Sequence, residues 1–291
     1  MSIRVQTAVL GLAALVAAAG AFLWIHTHTD RTHPALASTP ELSSAKPSES
    51  PRPAKAPEPP TERRRSEAEP DAGIPRPGEV LEFAADVSKL SNVANLRLQV
   101  LGRSDFQGKS AWHLRAFAHT ENPLRMIFEL DDQFDSYSDA GSFSTLQYEM
   151  HLNERGEKVN SIQRMIAGPE DRTASNVTAT HVLPGTRDPL GLMQYLRTVD
   201  WAKTREIRGP VYDGHKLYDV SASASGSSQN VTVPAGTYSA SKIDIHVFDN
   251  GVEMKDARFS LYLVNNAART PVLLEAVLPF ATAHVALVTA K

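Results

Sequence analysis

Apolar residues recur at every second position along most of the chain after Gly78, and that period constrains the fold more than any other feature. Leu96, Leu98 and Val100 alternate with Arg97 and Gln99, and Trp112, Leu114 and Ala116 alternate with His113 and Arg115. Leu146, Tyr148, Met150 and Leu152 alternate with Gln147, Glu149 and His151; residues 243–247, 259–263 and 272–278 repeat the pattern. Successive side chains of a strand point to opposite faces, so each row reads as a strand with one apolar face. Turn residues separate the rows: Asn153-Glu154-Arg155-Gly156, Asp213-Gly214 and Asn250-Gly251. Asn, Asp and Gly tolerate positive φ, and short turns of this kind impose antiparallel pairing. The expectation is a mainly β domain, a curved antiparallel sheet or half-open barrel of about ten to twelve strands.

One segment breaks the period. Asp188 to Trp201 reads as a helix, with Asp188 as its cap and Pro189 in its first turn. Leu192, Tyr195, Leu196 and Val199 form one stripe, with Leu190, Met193 and Arg197 beside it. So wide an apolar arc calls for burial, and the simplest arrangement lays this single helix in the mouth of the curled sheet.

The chain before Gly78 divides in two. Val5–Ile25 (VQTAVLGLAALVAAAGAFLWI) runs 21 residues without a charge, enough to cross about 30 Å of hydrocarbon as a helix. Arg4 on the inner side and Trp24 at the outer interface orient the rest of the chain outward. Ala19-Gly20-Ala21 and Ala35-Leu36-Ala37 have the small-x-small form of a signal-cleavage site, but apolar Phe22–Ile25 follow the first and the second lies ten residues past the run. Residues 1–29 are therefore read as an uncleaved single-pass anchor in the cytoplasmic membrane; the alternative is a signal segment, cleaved to release the chain into the periplasm. Residues 30–77 are read as a disordered linker: eleven of the chain's 19 prolines fall between Pro34 and Pro77, among few large apolar residues. A coil of that length spans roughly 40 Å. Residues 78–291 are left as the β-rich extracytoplasmic domain.

Composition removes several function classes. With 30 Lys plus Arg against 33 Asp plus Glu, the net charge of -3 gives no field for nucleic acid. The absence of cysteine excludes disulfides, thiolate metal sites, a cysteine nucleophile and lipid attachment through cysteine. No nucleophile elbow, HExxH or phosphate-binding glycine loop is present. His113, His151 and His246 fall on polar strand phases, and Ser221–Ser228 reads as a strand end and turn. His26, His28 and His33 read as a polar flank of the anchor rather than metal ligands. Arg63, Arg64 and Arg65, among Glu62, Glu67 and Glu69, read as solvated linker.

The densest group of chemistry-bearing residues is FELDDQFDSYSDAGS, residues 128–142, with Asp131, Asp132, Asp135 and Asp139. A calcium loop beginning at Asp131 lacks the required glycine, since position 6 is Ser136, and the final glutamate, since position 12 is Ser142. The favoured reading is a turn that follows a strand at Arg125–Leu130, its aspartates bonding to nearby backbone amides.

The ordered pieces GEVLEF (78–83), ELDDQFDSYSD (129–139), RDPLGLMQYLRTVDW (187–201), GPVYDGHKLYDV (209–220), VPAGTYSASKID (233–244) and TPVLLEAVLPFATAHVAL (271–287) resemble the exported bacterial family known as domain of unknown function 3108. The resemblance runs from about Gly78 to Val288, with Phe280-Ala281 where Phe-Gly is more usual. It implies no assigned activity and an architecture like the half-barrels of periplasmic lipoprotein carriers. No catalytic, cofactor-binding or metal residue is assigned. The expected function is a binding or envelope-assembly module for an apolar ligand or a lipid, glycan or envelope protein partner. The rival is an envelope polysaccharide hydrolase or transferase with carboxylates from separate strands.

Overall fold

The structure, a computed structural model, describes residues 73–167, 177–278 and 281–291. The expected anchor segment Val5–Ile25, the three histidines beyond it and the arginine triplet lie outside these residues. Among the described residues no helix is long and apolar enough to cross a membrane.

The first half of the sheet contains β1 (Val80–Val87), β2 (Leu90–Phe106), β3 (Lys109–Thr120), β4 (Asp131–Asp139), β5 (Thr145–Glu154), β6 (Glu157–Ile166) and β7 (Thr178–His181). Helix α1 (Pro189–Thr198) follows. The second half contains β8 (Glu206–Tyr212), β9 (Leu217–Ala224), β10 (Gln229–Val233), β11 (Gly236–Asp249), β12 (Val252–Glu253), β13 (Arg258–Val264), β14 (Pro271–Val277) and β15 (Thr282–Ala290). All belong to one sheet in the order β7-β6-β5-β4-β3-β2-β1-β15-β14-β13-β11-β9-β8, with β10 and β12 hydrogen-bonded to β11. The fifteen strands among the described residues exceed the expected number partly because short β7, β10 and β12 lack a readable period.

Tight turns set the register. Arg155-Gly156 and Asn250-Gly251 both lie at positive φ, the backbone that two-residue hairpins require. The two halves join where β1 pairs antiparallel with β15, Phe83 opposite Leu287 and Ala85 opposite Val285. Irregular register in β1, β2, β4 and β13 increases the local bend. The sheet stays open between β7 and β8. Thr186-Arg187 ties across near the gap: Thr145 N donates to Thr186 O at 2.9 Å, and Tyr212 N to Arg187 O at 2.8 Å.

The concave face carries the core, and α1 lies against it. Leu190, Met193 and Leu196 join Leu81, Trp112, Leu114, Leu261 and Leu287 in one apolar cluster. The helix ends at Thr198, short of the expected Trp201, whose indole N–H donates to Leu196 O at 3.0 Å. Of the expected stripe Leu196 and Val199 are buried, whereas Leu192 and Tyr195 are only half-buried; Leu190, Met193 and Arg197, expected beside it, are buried together with Gln194.

The aspartate-rich stretch is a strand, not a turn. The expected strand at 125–130 is replaced by a 3-10 turn, Leu124–Met126, and β4 then runs from Asp131 to Asp139 between β3 and β5. Residues 73–77, assigned by composition to the linker, lie on the domain: Gly73 and Pro75 are buried, and Gly73 N donates to Ala267 O at 2.7 Å.

Candidate functional site

Strand β4 presents polar side chains to both faces of the sheet. Alternation turns Asp132, Phe134, Ser136 and Ser138 inward and Asp131, Gln133, Asp135, Tyr137 and Asp139 outward. The inward serines face the start of α1. Asp188 caps that helix: Oδ1 accepts from Leu190 N at 2.8 Å and Gly191 N at 2.9 Å. Its Oδ2 accepts from Ser136 Oγ and, at 2.6 Å, from Thr145 Oγ1. Burial pushes the Asp188 carboxyl above its ordinary pKa even with these four donors. Gly191 permits the contact, because a Cβ there would lie 2.8 Å from Phe143 O.

The other end of α1 is fixed by charge. Arg197 is 1% exposed and its two terminal nitrogens each donate to a Glu79 oxygen at 2.8 Å. It also donates to Gln194 Oε1 at 2.8 Å and Ala268 O at 3.0 Å. Arg269 Nη1 donates to Arg197 O at 3.0 Å and Val199 O at 2.7 Å, satisfying helix-terminal carbonyls.

The outer face of β2–β6 holds the second network. Asp135 points outward yet is 1% exposed, because its neighbours cover it. Its Oδ1 meets His113 Nε2 at 2.5 Å and accepts from Arg115 Nε at 2.7 Å; Oδ2 accepts from Gln133 Nε2 at 2.5 Å. Burial raises its pKa, but the bonds from His113, Gln133 and Arg115 outweigh this and hold it below the ordinary value. Tyr137 stacks on His113 on one side and Phe106 on the other, each at 4.4 Å between centroids, and Arg164 lies 5.0 Å over Phe106. Arg164 also donates to Gln147 Oε1 at 2.6 Å.

The four sequence-selected aspartates therefore separate. Asp131 pairs with both terminal nitrogens of Arg125 at 2.9 and 2.8 Å. Asp132 accepts from Asn153 N at 2.9 Å. Asp139 alone shapes a turn as expected, accepting from Gly141 N at 3.1 Å and Ser142 N at 2.9 Å. Among the described residues no group of three or more His, Asp or Glu side chains is placed to hold a metal ion. Of the polar-phase histidines, His246 is exposed, whereas His113 is built into the Asp135 network. Periodicity placed Tyr148 on an apolar strand face and Arg197 beside the helix stripe, but no sequence signal marked the pairing of Arg197 with Glu79 or the unpaired phenol of Tyr148.

A sequence profile described as "Protein of unknown function (DUF3108)" matches residues 86–288. The chain belongs to that family. Solved structures similar to this DUF3108 chain include a β-barrel-like DUF1849 protein from Brucella abortus, at 12% identity and TM-score 0.48, covering 75% of this chain and 98% of that one. A Parabacteroides distasonis protein provisionally described as a lipoprotein gives 14% identity and TM-score 0.35, covering 76% and 99%. A Bacteroides fragilis protein provisionally described as exported, with a YmcC-like fold, gives 10% and 0.31, covering 74% and 96%. A comparison with curated proteins found no match.

Proposed function

We propose that this DUF3108 chain is an extracytoplasmic binding or envelope-assembly domain, held at the membrane through residues 5–25, that engages a protein partner on the outer face of β2–β6. The observation that carries this reading is where the apolar and polar material sits. The concavity is occupied by α1, whose Leu190, Met193 and Leu196 are part of the core itself. That argues against an acyl chain in the concavity, one of the other ligands expected. The outer face instead groups Phe106, Phe117 and Tyr137 with Arg97, Arg115 and Arg164. Aromatic residues and arginine are the types enriched at protein interfaces, and the stacked and hydrogen-bonded network holds them in place before binding. The rival reading, carboxylate-driven hydrolysis, needs two accessible acids. Asp135 and Asp188 already accept three and four hydrogen bonds and are buried.

The test uses the full chain in its own envelope, with a photo-crosslinking residue at Phe117 or, as control, at exposed Val252. A discrete protein adduct from position 117 and none from 252 is expected. An adduct confined to 252, or an acyl chain retained by the purified chain in native mass spectrometry, would refute the outer-face reading. Cleavage of envelope polysaccharide by the purified chain would favour the hydrolase.

A further inference from the structure

Two side-chain atoms among the described residues are buried with no protein group bonded to them: the hydroxyl of Tyr148 and Oδ2 of Asp213. The residues are 1% and 4% exposed, so neither atom has ready access to bulk water. Folded proteins pair nearly all such groups, because an unpaired buried donor or acceptor loses its hydration with no return.

The two atoms come from opposite sides of the open part of the sheet. Tyr148 stands on β5, facing inward, with its ring stacked on Phe134 at 6.3 Å between centroids. Asp213 stands in the turn between β8 and β9, where Oδ1 accepts from His215 N and Lys216 N at 2.8 Å each. That turn is pressed onto β5: a Cβ on Gly214 would lie 2.3 Å from Met150 Sδ and 3.4 Å from Tyr148 Cε1. It is also bolted to β6, since Gln163 Nε2 donates to Gly214 O at 2.7 Å. Burial first, then the charges of Asp188 and Asp213, hold the phenol's proton. Gly214, packed on Met150 and the Tyr148 ring, thus places its neighbour Asp213 beside Tyr148, close enough for the carboxylate's charge to act on the phenol.

Their chemistry is complementary. A phenol donates one hydrogen bond and accepts others, whereas an ionised carboxylate oxygen only accepts. A hydroxyl group can accept from the first and donate to the second. We propose that Tyr148 Oη and Asp213 Oδ2 are the two poles of a buried site for one hydroxyl-bearing species, either an ordered water or the hydroxyl of a small polar ligand. The site is separate from the outer face and does not depend on the partner reading above. Ordered waters in protein interiors occupy such positions, making two to four bonds to groups otherwise unpaired.

A double-mutant cycle on the full chain tests this, with Tyr148→Phe, Asp213→Asn and both together followed by thermal unfolding. Tyr148→Phe keeps the ring and removes the pole; Asp213→Asn keeps Oδ1 on the turn and replaces the accepting oxygen with an amide NH2. A bridged site predicts that Tyr148→Phe lowers the melting temperature by about 3 °C or more, the scale for one lost hydrogen bond in a domain this size. It also predicts that the double variant falls by clearly less than the sum of the two singles. If the hydroxyl has no partner at all, removing it leaves the melting temperature unchanged or raises it, and the effects add; that outcome overturns the proposal. Native mass spectrometry of the full chain then separates the two sources. A small bound mass lost on Tyr148→Phe identifies a ligand, and thermal coupling without any bound mass identifies water.

Discussion

Asp132 and Asp135 stand three residues apart on one strand and titrate in opposite senses. Burial raises inward Asp132, with one backbone donor, to about 7. A folded-state pKa above the unfolded value means the native protein holds that proton more tightly, so its contribution to stability falls as pH rises from about 4 to about 7. Asp135 is the reverse: its depressed pKa stabilises the fold above the unfolded carboxyl value, and that contribution is lost as pH falls through the folded value. Asp132→Asn should therefore melt with wild type near pH 4.5 and above it at pH 8; equal melting temperatures at both would remove the claim that ionised Asp132 is costly. Asp135→Asn should destabilise by about 1–3 kcal/mol at pH 7, since an amide cannot accept from His113, Arg115 and Gln133 together and carries no charge for the guanidinium. Asp139→Asn should change little, because the amide oxygen still accepts from the turn. Urea titrations of these variants measure both effects. The strand was illegible here for a physical reason. Three of its inward residues, Asp132, Ser136 and Ser138, are polar because they face the Asn153 amide and the Asp188 cap, so the apolar period disappears.

Helix α1 was legible in its caps and less so in its buried face. Asp188 and Pro189 stand where the sequence predicts, because a cap is a local bond between neighbours in the chain. Which stripe is buried depends on distant groups, and Glu79, 118 residues away, draws Arg197 inside. The pair gives an asymmetric prediction. Glu79→Gln leaves a buried guanidinium without its carboxylate and should cost about 3–5 kcal/mol. Replacing both partners, as Glu79→Met with Arg197→Met, should cost much less than Glu79→Gln, because no charge remains buried. If the double variant unfolds at lower urea than the single, the bridge contributes net stability beyond its own desolvation.

At the scale of the whole molecule, hairpins such as β5–β6 were legible from their turns, while the β1–β15 pairing that unites the sheet was not, since no local signal records contact between the ends of a domain. The same limit applies to where the folded domain begins. Composition places residues 73–77 in the linker, yet Gly73 sits at φ +80° with its Cα against the backbone of Arg197, where a Cβ would lie 1.8 Å from the carbonyl oxygen. Gly73 and the C-terminal end of α1 therefore form one junction, through which residues 73–77 bear on the helix rather than on a free strand end. Deleting residues 30–72 should leave the melting temperature unchanged, because composition gives that stretch nothing to bury. Deleting on to residue 77 removes the Gly73–Ala267 bond and buried Pro75, and should lower it by about 2–4 °C for each kcal/mol lost. Gly73→Ala in the otherwise intact chain should act in the same direction, since alanine tolerates neither the positive φ nor the contact. Melts of these three variants decide the matter: if both deletions and Gly73→Ala melt with the intact chain, residues 73–77 only rest on the domain and the junction carries no load.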